Sequence, residues 1–216
     1  PISKLEPLKE TDSNKKVRYL TKDENERLMA AMIAREEEIR KGYECGYSKT
    51  PLKGEYADYL RPMVIISLNT GIRWGSLVSL QWDDIDLINR SLTIRAATTK
   101  SESQLIIPLN KTAMETFRQW KKEMPDTGPK DLVFPSPVNG DVLDNVNKAW
   151  KTVLKKAEIE NFRWHDMRHT FASNLVMSGV DLNTVRELLG HADLKMTLRY
   201  AHLAPKVKMS AVEMLD

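Results

Sequence analysis

The chain has 216 residues, of which 41% are hydrophobic and 29% are charged, values that predict a globular protein with a hydrophobic core. They exclude a mainly disordered or collagen-like chain, and no apolar stretch approaches the roughly 18 residues that a membrane helix needs. A total of 33 lysines and arginines against 30 aspartates and glutamates gives a net charge of +3, which permits a nucleic-acid partner without requiring one.

The chain has one cysteine, Cys45, which favours a reducing compartment because it has no partner for an internal disulfide. Zinc bound by a cysteine cluster is excluded for the same reason. No hydrophobic region follows the first residues, so we expect no secretory signal and a cytoplasmic location.

The first third of the sequence predicts a polar tail and then two helices. Residues 1–20 are polar and aperiodic, as in a tail or linker. The run Thr21-Lys22-Asp23-Glu24 has the pattern of a capping box, so a helix is expected to start there and to end near Lys41-Gly42. A second helix is expected to carry Pro62 in its first turn and to end at Gly71.

The middle of the chain changes from helical to strand periodicity. After a short helix at 74–80, apolar and polar residues alternate over 84–87, 91–96 and 104–108. Turn-forming residues separate these stretches, which predicts a small three-stranded antiparallel sheet.

Downstream of the sheet the periodicity is helical again. Apolar residues at helical spacing predict two helices, one through Met114, Phe117 and Trp120 and one through Val146, Trp150 and Leu154. Further helices are expected at 165–178, 182–189 and 194–203, followed by an amphipathic segment at 206–215. The prediction is a mostly helical α+β fold with one small sheet.

Two stretches carry cationic side chains in positions suited to phosphate chemistry. Arg73 comes directly after Gly71, in a turn that can hold a guanidinium in the fixed direction that phosphate recognition needs. His165 and Arg168 are three residues apart on a predicted helix, so both can act on one anion. Taken alone, each stretch is also compatible with solvated surface residues.

Three further residues stand out and have equally ordinary interpretations. Lys100 lies at the predicted tip of a hairpin, where lysines are usually solvated. His191 follows a helix-ending glycine, and Tyr200 fits the edge of an apolar core. His165 and His169 have the i,i+4 spacing of zinc ligands, although the sequence offers no obvious third ligand.

Taken in order, these residues resemble the complete catalytic set of the tyrosine recombinases, the phage integrase family: Arg73, Lys100, His165, Arg168, His191 and Tyr200. The sequence motifs around these residues also match those of the family. They are Thr70-Gly71-Ile72-Arg73, Trp164-His165-Asp166-Met167-Arg168-His169-Thr170, and Leu189-Gly190-His191 with Tyr200 nine residues after the histidine. The resemblance extends over about residues 20–204 and is to the C-terminal catalytic domain of an integrase from a bacteriophage or integrative element.

The resemblance implies a strand exchange that needs no metal, cofactor or ATP. Tyr200 would attack the scissile phosphate, leaving a 3′-phosphotyrosine and a free 5′-hydroxyl, while Arg73 and Arg168 would bind the non-bridging oxygens. Such cations suit a phosphodiester whose negative charge grows in the transition state. A phenol with a pKa of about 10 also needs a proton acceptor at neutral pH.

The remaining roles follow from the same resemblance. His165 would transfer the proton, Lys100 would protonate the departing 5′-oxygen from a hairpin in the minor groove, and His191 would hydrogen-bond a phosphate oxygen. One position departs from the family pattern: the Glu or Asp that commonly stands three residues after the first arginine is Ser76 here, which brings no charge.

The resemblance also implies an assembly. Residues 21–204 would be the catalytic domain, 1–20 a linker from an upstream helical domain, and 205–216 a C-terminal amphipathic segment. That segment is expected to dock on a neighbouring protomer in the assembled complex, the alternative being a helix that packs on its own protomer. The expected partners are double-stranded DNA and three further copies, in a homotetramer on paired recombination sites in a bacterial nucleoid. The chain by itself is expected to be monomeric, and the outcome would be integration of a phage genome or mobile element.

Three other functions use parts of the same pattern. A type IB topoisomerase would employ nearly the same residues to relax supercoils. A non-catalytic DNA-binding module is suggested by residues 180–203, which loosely resemble a helix-turn-helix. A zinc hydrolase built on His165 and His169 is the third.

Overall fold

The protein is described by a computed structural model, which covers residues 17–45, 54–95 and 104–205. These residues form eight α-helices and one sheet. The helices are α1 (Lys22–Glu44), α2 (Leu60–Thr70), α3 (Trp74–Val78), α4 (Lys111–Glu123), α5 (Asn147–Lys156), α6 (Asp166–Met177), α7 (Leu182–Leu189) and α8 (Lys195–Leu198). Short 3₁₀ turns lie at Trp82–Asp84 and Ala201–Leu203. Among the described helices, none combines the length and apolarity needed to cross a bilayer.

The sheet is small and antiparallel, as the alternation of apolar residues predicts. Its strands β1 (Ile85–Asp86), β2 (Ser91–Ile94) and β3 (Leu105–Pro108) lie in the order β1-β2-β3. Leu92 pairs with Ile85 on one side and Ile107 on the other, and all three side chains are buried on the core face. The predicted mostly helical α+β fold with a three-stranded sheet is therefore confirmed.

The helix ends are set by the local signals in the sequence. The Thr21 hydroxyl accepts a hydrogen bond from the Glu24 amide at 3.2 Å, and the Glu24 carboxylate accepts one from the Thr21 amide at 2.9 Å. This is the reciprocal pairing of a capping box. Helix α2 carries Pro62 in its first turn and ends at Gly71, whose φ of +63° is the left-handed conformation that favours glycine.

The core consists of three adjoining clusters. The first joins the sheet to α2 and α4, and the second joins α1 to α5. The third is smaller and lies between α6 and α7, where Tyr200 is one of its buried members. Helix α2 packs against both α4 and α6, so its C-terminal end is fixed close to the start of α6.

Three segments differ from the predicted pattern. Residues 124–146 contain no helix and are held by isolated strand bridges, Gln81 with Leu132 and Pro135 with Val142. The helix expected over 194–203 is two short turns that break at Tyr200. Leu20, in the predicted tail, is buried and its amide donates to the Thr170 hydroxyl at 3.0 Å, so the packed domain starts slightly earlier than residue 21.

Candidate active site

Five of the six residues expected in the site lie in the described part of the chain, and each is near the end of a helix. Arg73 precedes α3, His165 caps α6, Arg168 lies in its first turn, His191 follows α7, and Tyr200 follows α8. Lys100 lies outside the described residues. Arg168 hydrogen-bonds the carbonyls of Gly71 and Leu189, and the next residue, His169, contacts the Tyr200 hydroxyl, so the structure brings these segments together.

Arg168 is the structural centre of this site. Its side chain is only 4% exposed, and Nη1 donates a hydrogen bond of 2.7 Å to the carbonyl of Gly71, while Nη2 donates to the carbonyl of Leu189. Both carbonyls lie at helix C-termini, where backbone oxygens lack helical partners and carry partial negative charge. Arg168 therefore ties the turn before Arg73 and the turn before His191 to α6.

The Arg168 guanidinium is held without being neutralised. Its acceptors are uncharged carbonyls, and no carboxylate in the described part of the chain forms an ion pair with it. Burial, together with the smaller effect of the positive charge of Arg73, lowers the pKa of Arg168 to about 9. Arg168 still carries its charge at neutral pH, and an anion that enters the site would meet a fixed cation.

Arg73 provides a second cation with unused donors. Its side chain is half-buried, and burial lowers the pKa of its guanidinium. No described residue accepts a hydrogen bond from it or forms an ion pair with it. Ser76, at the position where the family commonly has an acid, lies buried in α3 and brings no charge toward Arg73.

The turns that present these cations depend on two glycines. Gly71 and Gly190 both have left-handed backbones, with φ values of +63° and +58°. A Cβ on Gly71 would lie 2.5 Å from Cδ1 of Phe171, and one on Gly190 would lie 2.8 Å from Cδ2 of Leu105. Any larger residue at either position would be strained in the left-handed backbone, and at Gly71 its Cβ would also collide with the Phe171 ring.

Tyr200 is buried beside Arg168 rather than exposed. Its ring is 1% exposed and packs with Ala172, Val176 and Leu189 in the small cluster between α6 and α7. Burial raises the pKa of the phenol, and the nearby positive charge of Arg168 opposes that effect. The phenol is therefore protonated at neutral pH in the protein without DNA.

The hydroxyl of Tyr200 has a partner that the sequence did not assign to the reaction. It lies 2.6 Å from Nδ1 of His169, the residue directly after Arg168. Sequence reasoning considered His169 only as a zinc ligand. The available signal was its position one turn after His165 on the same helix face.

The other two histidines have different surroundings. His165 lies at the start of α6, where partial burial and the charge of Arg168 lower its pKa. His191 is buried, and its Nδ1 hydrogen-bonds the Thr197 hydroxyl at 2.9 Å, which links it to α8. Burial, with a smaller contribution from Arg168, lowers the pKa of His191 to about 4, so its imidazole is neutral at neutral pH.

The zinc interpretation lacks a ligand set. Within the described ranges, no group of three or more histidine, cysteine, aspartate or glutamate side chains is arranged to hold a metal ion. The rings of His165 and His169 are edge to face, 5.0 Å apart, and Nδ1 of His169 faces Tyr200.

Comparison with known proteins gives a consistent result. The sequence profile of the Phage integrase family matches residues 18–206. The integrase of Salmonella phage P22 is 34% identical over an alignment of 158 positions, which covers 70% of this chain and 41% of that protein. A tyrosine recombinase XerC-like protein of Caldanaerobacter subterraneus is 29% identical over an alignment of 216 positions, which covers 84% of this chain and 53% of that protein. The chain thus spans about half the length of these curated relatives.

Solved structures share the fold. The catalytic domain of bacteriophage HP1 integrase superposes with a TM-score of 0.61 at 24% identity, over 91% of this chain and 94% of that one. The XerH site-specific recombinase, solved bound to its palindromic difH substrate after cleavage, superposes with a TM-score of 0.65 at 22% identity, over 94% of this chain and 54% of that one.

Proposed function

Since the chain belongs to the phage integrase family, we propose that it cleaves and rejoins double-stranded DNA as a site-specific tyrosine recombinase. The observation that carries this proposal is the double hydrogen bond of Arg168 to Gly71 and Leu189, which fixes an unneutralised cation next to a buried tyrosine. A fixed cation of this kind suits a phosphate whose charge grows during attack.

In the proposed reaction, the phenol oxygen of Tyr200 forms a bond to phosphorus and the bond from phosphorus to the 5′-oxygen breaks. Arg73 and Arg168 donate hydrogen bonds to the non-bridging oxygens, and the neutral imidazole of His191 hydrogen-bonds the same phosphate. The family resemblance gives the transfer of the phenol proton to a histidine at the start of α6, His165. The phosphotyrosine keeps the phosphodiester energy, so a 5′-hydroxyl of a second strand can reverse the step without ATP.

Lys100 completes this set as the proton donor to the departing 5′-oxygen. It belongs to the segment that joins β2 to β3, and β3 contacts α7 directly before His191. General acids of this kind typically contribute about 10²–10⁴-fold to a rate.

The proposed partners are double-stranded DNA and further copies of the chain, in a homotetramer on paired sites in a bacterial cytoplasm. Three apolar side chains on the tyrosine-bearing segment, Leu194, Met196 and Leu198, are 40–49% exposed, which supports a protein contact at this face. The C-terminal segment 206–216, which we propose docks on a neighbouring protomer, lies outside the described residues, as does the linker at 1–16.

The experiment that tests the function uses nicked duplexes of randomised sequence, which trap a cleaved strand because the short product diffuses away. The chain is incubated with this library in EDTA, denatured, and the covalent adduct is mapped by mass spectrometry. We expect one adduct, on Tyr200, with a 3′-phosphate linkage. Absence of an adduct, or an adduct on another residue, would contradict the proposal, and a requirement for metal would favour the hydrolase. Relaxation of supercoiled plasmid without strand exchange would favour the topoisomerase.

A further inference from the structure

Two histidines lie near Arg168 at the start of α6: His165, which caps the helix, and His169, which directly follows the arginine. The one whose side chain contacts Tyr200 is His169. Nδ1 of His169 lies 2.6 Å from the Tyr200 hydroxyl, with the two rings tilted by 51° at a centroid distance of 5.9 Å. Tyr200 is buried in the cluster between α6 and α7 and His169 is half-buried beside it, so the access of water to this hydrogen bond is reduced.

The protonation states of the two groups fix the direction of the hydrogen bond. Burial lowers the pKa of His169 to about 4, and the neighbouring His165 lowers it in the same direction, so the imidazole is neutral at neutral pH. The phenol, whose pKa burial raises, keeps its proton. The Tyr200 hydroxyl therefore donates to an unprotonated Nδ1, and the ring proton of His169 is on Nε2.

The charges that face His169 come from three places. His165 and Asp166 lie on the same helix, Arg163 lies in the turn before it, and Arg199 adjoins Tyr200. Asp166 is paired with Arg163, with a distance of 3.0 Å between Oδ1 and Nη2. Burial, with a smaller contribution from these cations, keeps His169 unprotonated in the free protein, and a bound phosphate would offset part of the effect of the cations.

We propose that His169 is a catalytic residue that accepts the proton of Tyr200 when the phenol oxygen attacks the scissile phosphate. The inference rests on the proposed function. As the bond from the phenol oxygen to phosphorus forms, the proton passes to Nδ1 of His169, and the bond to the 5′-oxygen breaks as that oxygen takes a proton from a separate donor such as Lys100. In the rejoining step, His169 returns its proton to the departing phenol.

His165 lacks the geometry for this step. Its ring is packed edge to face against His169 at 5.0 Å, and within the described residues it makes no hydrogen bond to Tyr200. Its pKa responds to the charges of both Arg168 and Arg73, the cations expected to bind the phosphate. His165 therefore contacts the ring of His169 and not the phenol.

The test compares three variants of the 216-residue chain with the unmodified chain. His169→Asn keeps an acceptor oxygen near the position of Nδ1 but cannot take up a proton. His202→Asn is the matched control, because His202 is an exposed histidine close to Tyr200 in the chain. His169→Ala opens space for a small external base. Each protein is checked by its melting temperature and by DNA binding, and the adduct rate is then measured on the nicked library.

We expect His169→Asn to bind DNA normally and to form the Tyr200 adduct at least about 100-fold more slowly, as for loss of a general base. His202→Asn should be unchanged. Added imidazole should accelerate His169→Ala in proportion to its neutral form, which a merely structural role would not produce.

The outcomes separate the inference from the function on which it rests. If the unmodified chain forms no adduct on Tyr200, the proposed function fails and the role of His169 fails with it. If that adduct forms and His169→Asn is equally fast, or imidazole leaves His169→Ala unchanged, the function stands and the inference is overturned. A faster adduct in His169→Asn would show that the hydrogen bond restrains the tyrosine instead of activating it.

Discussion

Arg168 and Gly71 are 97 positions apart in the chain, yet Nη1 of Arg168 donates a 2.7 Å hydrogen bond to the Gly71 carbonyl. The same guanidinium binds the Leu189 carbonyl. One buried side chain thus holds the ends of α2 and α7 against the start of α6, and the residues that follow those ends, Arg73 and His191, are positioned by it. Disturbing this connection should affect fold and chemistry together.

Gly71→Ala should destabilise the protein by about 1–3 kcal/mol, because alanine would be forced into a left-handed backbone and its Cβ would clash with Phe171. Urea unfolding measures the loss. Gly75→Ala is the control: that glycine has no atom near its Cβ position and lies inside α3, so alanine should be neutral or slightly stabilising. Equal losses in both variants would contradict the role of the Gly71 turn.

Tyr200→Phe should bind DNA as the unmodified chain does and form no covalent adduct. In the proposed reaction the phenol oxygen is the nucleophile, whereas the arginines proposed to bind the phosphate are untouched. Loss of the hydrogen bond to His169 should cost about 1 kcal/mol of stability, since the ring remains buried. An adduct that survives this substitution, detected on a denaturing gel, would refute the assignment of the nucleophile.

Stability should fall as the pH is lowered through the range below 6.5. The pKa values of His169 and His191 are each lowered to about 4, so the unfolded chain binds more protons than the folded chain between these limits. The stabilisation that these neutral histidines provide is fully present above pH 6.5 and is lost as the pH falls toward 4. Thermal melts of the unmodified chain and of His191→Asn measure this loss, and the melting temperature of the variant should depend less steeply on pH. Parallel curves would mean that His191 is not responsible.

Lys100→Ala should slow cleavage of ordinary DNA by about 10²–10⁴-fold, as expected for loss of a general acid. The defect should largely disappear when sulfur replaces the bridging 5′-oxygen, because a thiolate leaves without taking a proton. Single-turnover cleavage of the two substrates gives the comparison. A defect of the same size on both would assign Lys100 to DNA binding alone.

Removal of the residues after Ala204 should leave the thermal stability of the domain nearly unchanged and abolish cooperative assembly on DNA. Val207, Ala211 and Leu215 form one face of the helical pattern in this segment, which a neighbouring protomer would cover. Calorimetry and gel-shift titrations measure the two properties. Unfolding of the truncated domain with assembly otherwise intact would mean that the segment packs on its own protomer.

The sequence by itself determined the secondary structure wherever a local rule governs it. The capping box at Thr21, the glycine that ends α2 and the period-2 alternation through Leu92 and Ile107 each specify a backbone shape over a few neighbouring residues. The ordered set from Arg73 to Tyr200 also identified the family, because the combination is far more specific than any of its members.

Only the tertiary structure decided how those residues meet. Arg168 could be recognised as a candidate phosphate ligand, but its two carbonyl partners lie 97 and 21 positions away and leave no local pattern. The sequence pattern gave the proton transfer to His165, whereas the side chain that contacts the Tyr200 hydroxyl in the structure is His169. The two histidines lie on one helix face, and which of them meets the phenol depends on where the turn after α8 is packed against α6 and α7.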